Sequence, residues 1–209
     1  MYRFLIADDH TVVRKGLKQI LLEAFPSALV EEVTDAESLL KMVFTQNWDV
    51  VISDISMPGR SGLEVLQQVK QHYPKLPVLI LSVHSEDLYA LRVLKSGAAG
   101  YLNKDSAPEQ LVAAVNRVMQ GKKYITPTIA EKLANSLDQD MEKSSHEYLS
   151  DREFEVLKLL AAGQAVSDIA SRLSLSVTTI STYRSRIMVK MSLKTNAELT
   201  LYAIENKLI

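Results

Sequence analysis

Five positions in the first half of the chain close short apolar runs with groups suited to phosphate or metal chemistry. Asp8 and Asp9 follow Phe4-Leu5-Ile6-Ala7, Asp54 follows Val50-Val51-Ile52-Ser53, Ser82 follows Val78-Leu79-Ile80-Leu81, and Lys104 follows Gly100-Tyr101-Leu102-Asn103. Three carboxylates brought into one cleft push one another toward protonation unless a cation lies between them. Oxygen donors of this kind suit a hard ion such as Mg2+, which takes one or two carboxylates and keeps room for phosphate oxygens. A lysine and a hydroxyl complete a set that neutralises and hydrogen-bonds the equatorial oxygens of a phosphoryl group. Taken singly, each residue has a plainer use: Asp54 as a turn cap, Asp8-Asp9 as a helix start, Ser82 as a turn residue. Their common position at strand ends is what points to chemistry.

Such a gathering requires a parallel sheet, and the chain supplies the elements. Strand patterns fall at 4–7, 29–33, the run ending at Asp54, 78–81 and 100–102, and helical patterns at 11–24, 36–45, 62–72, 86–96 and 108–120. Pro108 suits a first helical turn and Gly121 a helix end. In the first helix Val12, Val13, Leu17, Ile20, Leu21 and Leu22 are the expected apolar side. Five strand-then-helix repeats predict a doubly wound α/β domain in which every strand ends on one rim, the rim where ligands bind in open sheets. The turn at Met57-Pro58-Gly59 ends the central strand.

Composition narrows the class. The chain has 209 residues, 47% of them apolar, no cysteine and a net charge of −1. It is long enough for two modest domains, and the missing cysteines exclude disulfides and thiolate metal sites. The apolar N-terminal run reaches acids at Asp8 and is too short for a signal or a membrane span, so a cytoplasmic protein with no membrane partner is expected. His10, His72, His84 and His146 lack metal spacing and are expected to be structural or solvent-facing.

The pattern changes after residue 121. A helix fits 127–141 with Ile129, Leu133 and Leu137 on one side, and 138–146 is a polar run suited to a linker. The division is therefore 1–121, 122–148 and 149–209. Four helices, 150–162, 166–173, 176–191 and 195–206, fill the last part, the first opened by a capping box at Ser150-Asp151-Arg152-Glu153 and closed by Gly163. The turn Ser174-Leu175-Ser176 has the length that joins a helix-turn-helix. On the third helix Ile180, Tyr183, Ile187 and Met191 share one side, and Thr178, Ser181, Thr182 and Ser185 the opposite one, with Arg184 nearer the buried side. Arg172, Arg184, Arg186, Lys190 and Lys194 fall in a stretch without acids, the local basic patch that overall neutrality conceals. A hydroxyl face between cations can enter a DNA major groove, although it can equally be a solvated helix face.

The N-terminal set, with Gly100-Tyr101-Leu102 before Lys104, resembles the receiver domain of two-component response regulators. Leu149-Ser150-Asp151-Arg152-Glu153, Val156-Leu157, Gly163, Ile169-Ala170, Leu173, Ser176, Thr179-Ile180, Lys190-Met191 and Ala197-Glu198-Leu199 resemble the LuxR-type helix-turn-helix. The whole is similar to the two-domain NarL/FixJ class. The resemblance implies a flavodoxin-like five-stranded receiver followed by a small all-α domain. It makes Asp54 the phospho-acceptor and has Asp9, Asp54 and the Ser56 carbonyl ligate Mg2+, with Asp8 acting largely through water. It also pairs Lys104 and Ser82 with the phosphoryl group and makes Tyr101 a switch aromatic. A sensor histidine kinase as donor, double-stranded DNA and an active homodimer are the implied partners, and no turnover of a foreign substrate is expected. Thr178, Ser181, Thr182 and Ser185 are then groove candidates, and Arg184, Arg186, Lys190 and Lys194 phosphate candidates. Leu199, Tyr202 and Ala203 have two open roles, dimer contact or core.

Two departures from the family stand out. Asp105 replaces a common proline after Lys104, so that loop needs other support. Ser181 and Tyr183 replace a common lysine and histidine, so the usual base contacts do not carry over. The rival readings are a phosphorylation-independent DNA-binding protein with a degenerate receiver, and an aspartyl-phosphate phosphatase. The latter wants a second acid two residues after the nucleophile, where this chain has Ser56.

Overall fold

The computed structural model describes residues 1–57, 60, 62–83, 86–138 and 145–209. Pro58, Gly59, His84 and the 139–144 part of the expected linker lie outside them. The chain divides into two compact units, Met1–Asp138 and Gln139–Ile209.

In the first unit, strands β1 (Arg3–Ala7), β2 (Leu29–Val33), β3 (Val50–Asp54), β4 (Val78–Ser82) and β5 (Gly100–Asn103) alternate with helices α1 (Thr11–Ala24), α2 (Ala36–Thr45), α3 (Gly62–His72), α4 (Glu86–Lys95) and α5 (Ala107–Met119), and α6 (Pro127–Asp138) follows. The strands pair in parallel in the order β2-β1-β3-β4-β5. β1 and β3 are thus neighbours at the centre, which brings Asp8 and Asp54 to adjacent strand ends. Phe4, Ile6, Val50, Ile52, Leu79 and Leu81 pack under Leu17 and Leu21 of α1 and Leu111, Val115 and Val118 of α5. The alternate residues Leu5, Val51, Ile80 and Tyr101 are fully buried as well, as a sheet covered on both faces requires.

α1 corrects the expected apolar side. Leu17 and Leu21 are buried and Val13 and Ile20 half-buried, but Val12 is 86% exposed and Leu22 37%. At ~100° per residue both lie about 140° from Leu17, off the buried stripe. In α6, Ile129 is buried, while the side chains of Leu133 and Leu137 are outside the described ones.

In the second unit a 3-10 turn (Ser145–Tyr148), which the charged run did not suggest, precedes α7 (Asp151–Ala161), α8 (Val166–Arg172), α9 (Val177–Met191) and α10 (Asn196–Glu205). The capping box forms as expected: Ser150 Oγ accepts from Glu153 N while Glu153 Oε2 accepts from Ser150 N. Ser176 and Thr195 cap α9 and α10. Phe154, Leu157, Ile169, Ile180, Ile187 and Leu199 are buried between the helices. Ser174, between α8 and α9, adopts φ 54°, a left-handed conformation costly for a residue with a Cβ. Leu199 and Ala203 are fully buried in the core of this unit, whereas Tyr202 is half-buried with its hydroxyl 2.8 Å from His146 Nδ1. Leu201 and Ile204 carry the exposed apolar surface of α10.

Candidate functional site

The acidic pocket is built by strand ends. Asp8, one residue past β1, and Asp54, the last of β3, are 0% and 1% exposed, which no pair of carboxylates sustains without compensation. Lys104, just past β5, supplies it: its Nζ lies 2.8 Å from Asp54 Oδ2 and 2.8 Å from Asp8 Oδ2. Ser56 N donates to Asp54 Oδ1 at 3.2 Å, His10 N to Asp8 Oδ1 at 2.8 Å, and Arg14 to the Asp8 carbonyl at 2.7 Å. Burial pushes the Asp54 carboxyl above the usual carboxylate range, Lys104 pulls it back only in part, and the nearby Asp8 charge adds a smaller push upward. Burial works against the Lys104 ammonium, yet Asp54 and Asp8 outweigh it and hold the lysine above its ordinary range.

Gly62 fixes the depth of this pocket. A Cβ there would stand 2.5 Å from the Asp54 carbonyl oxygen and 2.7 Å from Ile55 Cα, and Gly62 N donates to the Ile55 carbonyl. Only a residue without a side chain lets α3 start that close to the end of β3. The loop carrying Lys104 is held by Asn103, whose Oδ1 accepts from Asp105 N and whose carbonyl accepts from Ser106 N, and by Lys104 N donating to the Ser82 carbonyl. That is the support the chain uses where proline is missing.

Asp8, Asp9, His10 and Asp54 each offer a ligand atom within 4.8 Å of the others. Asp8 Oδ2, although beside the ammonium, is outside hydrogen-bond alignment with it, leaving a buried carboxylate oxygen incompletely satisfied. Three carboxylates against one ammonium leave negative charge to spare, and the oxygen donors fit a hard divalent ion. His10, expected to be structural or solvent-facing, is 62% exposed, and its Nδ1 also lies 2.7 Å from Asp9 Oδ1 and 3.2 Å from Asp8 Oδ1. Sequence spacing hid this contact because a histidine three residues past a strand reaches the acids only through the local turn. Ser82 ends β4 fully buried, and Tyr101, paired with Ile80, is fully buried in β5.

In the second unit the outward side of α9 carries Thr178, Ser181, Thr182, Ser185 and Arg186, all exposed. Ile180, Ile187 and Met191 face the core with Met188, and Tyr183 is half-buried. Two of the expected phosphate cations are otherwise engaged. Arg184 Nε donates to Asn196 Oδ1 at 2.9 Å, and Lys190 Nζ lies 2.6 Å from Glu153 Oε2. Burial would raise the Glu153 carboxyl, but bonds from Lys190 and Ser150 hold it below its ordinary value. Lys194 is exposed past the end of the helix.

The family described as response regulator receiver domain matches residues 4–116, and bacterial regulatory proteins of the luxR family match 147–203. The chain belongs to the response regulator family. It is a two-component response regulator and transcription factor with a receiver and a LuxR-type helix-turn-helix, a family of regulators and not of classical enzymes. Response regulator UvrY of Escherichia coli is 35% identical over 209 residues, covering 100% of this chain and 96% of that one. Oxygen regulatory protein NreC of Staphylococcus epidermidis is 38% identical over 215 residues, covering 99% of each. Among solved structures, RcsB from Salmonella enterica serovar Typhimurium bound to promoter rprA with the phosphomimetic BeF3− is 28% identical. It superposes with a TM-score of 0.63 over 97% of this chain and 98% of that one. Among the described residues of this response regulator, no helix is long and apolar enough to cross a membrane.

Proposed function

We propose that Asp54 accepts a phosphoryl group in the receiver pocket and that this controls dimerisation and DNA binding by the LuxR-type unit. The observation carrying the reading is the buried Lys104 ammonium spanning Asp54 and Asp8. In the transfer, a carboxylate oxygen of Asp54 forms the new P–O bond as the P–N bond to a kinase phosphohistidine breaks, and the leaving imidazole nitrogen takes up a proton. Lys104 pairs with the phosphoryl oxygens, Ser82 donates to one of them, and Tyr101 is the switch aromatic that responds when Ser82 is drawn to the phosphoryl group. Asp9, Asp54 and the Ser56 carbonyl would hold Mg2+, with Asp8 acting through water. Bound there, Mg2+ supplies positive charge against the phosphoryl oxygens.

The domains on this reading are a receiver at 1–121, a linker at 122–148 and a DNA-binding domain at 149–209, in a cytoplasmic protein. Thr178, Ser181, Thr182 and Ser185 face the major groove, with Arg186 and Lys194 toward phosphates. A homodimer on two half-sites supplies the affinity one small module lacks. DNA binding measured with and without a small phosphodonor and Mg2+ tests the coupling. Tighter binding after phosphorylation, lost in Asp54→Asn, is expected, and identical binding in both conditions would favour the phosphorylation-independent alternative. No release of phosphate from foreign monoesters is expected.

A further inference from the structure

The groove-facing side of α9 is made of acceptors and methyl groups where a guanine reader would need donors. Ser181 Oγ lies 2.9 Å from the Val177 carbonyl oxygen and Thr182 Oγ1 2.9 Å from the Thr178 carbonyl oxygen. A carbonyl oxygen only accepts, so both hydroxyl protons are spent inside the helix and what remains outward is lone pairs. Thr178 and Thr182 add methyl groups. Of the three cations on α9, Arg184 is held by Asn196 and Lys190 by Glu153, whose side chain is 3% exposed. Arg186 is left, and it stands at the flank of the hydroxyl stripe, about 40° round the helix from Thr182, about 80° from Thr178 and about 100° from Ser185.

We infer that α9 reads A·T pairs: Ser181 and Thr182 accept from the adenine N6 amino group, and the Thr178 and Thr182 methyls pack on the thymine C5-methyl. This rests on the reading of α9 as the groove helix. In the major groove an A·T pair offers both a donor and a methyl. A G·C pair offers one donor, from cytosine N4, and two acceptors, as an A·T pair does through adenine N6, adenine N7 and thymine O4, so the hydroxyls alone do not separate the pairs and the thymine methyl does. Ser185, with no such internal bond among the described contacts, is free to adapt and does not define the preference.

The test uses the full-length chain with phosphodonor and Mg2+. Duplexes selected from a random pool are expected to carry A·T pairs at the centre of each half-site. Replacing thymine by deoxyuridine at those positions, which removes only the methyl, lowers affinity about three- to fivefold. Thr182→Ser keeps the hydroxyl and loses the methyl, and is expected to abolish the deoxyuridine effect at one position while leaving it at others. Ser181→Lys is expected to enrich guanine there. Central guanines selected by the unaltered chain, or affinity unmoved by deoxyuridine, would overturn the inference and leave sequence-specific DNA binding standing. A pool with no enriched sequence, with or without phosphodonor, would overturn the groove assignment of α9 itself.

Discussion

The receiver pocket and the outward side of α9 use polar groups in opposite ways. In the pocket Asp8, Asp54 and Lys104 are withdrawn from water, with the Lys104 ammonium within 2.8 Å of both carboxylates and only Asp8 Oδ2 left without an aligned hydrogen bond, so their arrangement is set before any ligand arrives. On α9 the functional side chains are exposed, and the nearby cations are sorted by contacts from other helices, Lys190 going to Glu153 of α7 and Arg184 to Asn196 of α10. A buried site is specified by where strands end. An exposed one is specified by what its neighbours have not already taken.

The strongest way to break the pocket half of this contrast is Gly62→Ala. The three nearest atoms to its Cβ would all be backbone atoms of Asp54 and Ile55, so no flexible side chain can yield. We expect a loss of about 3 kcal/mol, at the upper end for overpacking, read by urea denaturation, with slower phosphate uptake. Glu153→Ala addresses the other half: it strips Ser150 N of its partner and releases Lys190. A cost of about 1–2 kcal/mol is expected in the second unit, moderated because Lys190 is 40% exposed, together with tighter DNA binding from the freed ammonium.

The same pair sets a pH dependence. Glu153 is held below its ordinary value, so the stability it contributes is fully present above the unfolded-chain carboxylate range and is lost as pH falls through the lowered folded value. The stability gap between the unaltered chain and Glu153→Gln should therefore shrink on acidification, which thermal melts between neutral and acid pH would read. If Lys190 is engaged and Arg186 is not, Arg186→Ala should lower the salt slope of DNA binding by about 0.9, and Lys190→Met by distinctly less. Equal slopes would erase the distinction between taken and available cations. The smallest expected effect is Ser174→Gly, which relieves the left-handed φ of 54° and should gain about 0.5–1 kcal/mol.

The doubly wound sheet was legible because most of its strands are apolar runs, Glu31-Glu32 in β2 being the exception, and strand and helix patterns alternate; α1, α2 and α3 occupy the spans their periodicity indicated. Asp54 and Lys104 came together because parallel strands share a rim. What was not legible depended on backbone approach and on neighbours. Nothing in the pattern around Gly62 says that α3 presses on β3, and the reach of His10 to Asp8 and Asp9 follows from a turn only coordinates define. Lys190 read as a DNA cation because its partner lies 37 residues away on another helix. Leu199 and Ala203 divided between core and dimer contact because periodicity marks an apolar face without saying what covers it.

The most direct test of the account is phosphate uptake by the full-length chain in a small phosphodonor and Mg2+, followed by intact mass and by hydroxylamine lability, in the unaltered protein and in Asp54→Asn. The account predicts one hydroxylamine-labile phosphoryl group on the former and none on the latter. Uptake persisting in Asp54→Asn, or failing in the unaltered protein with Mg2+ present, would contradict it.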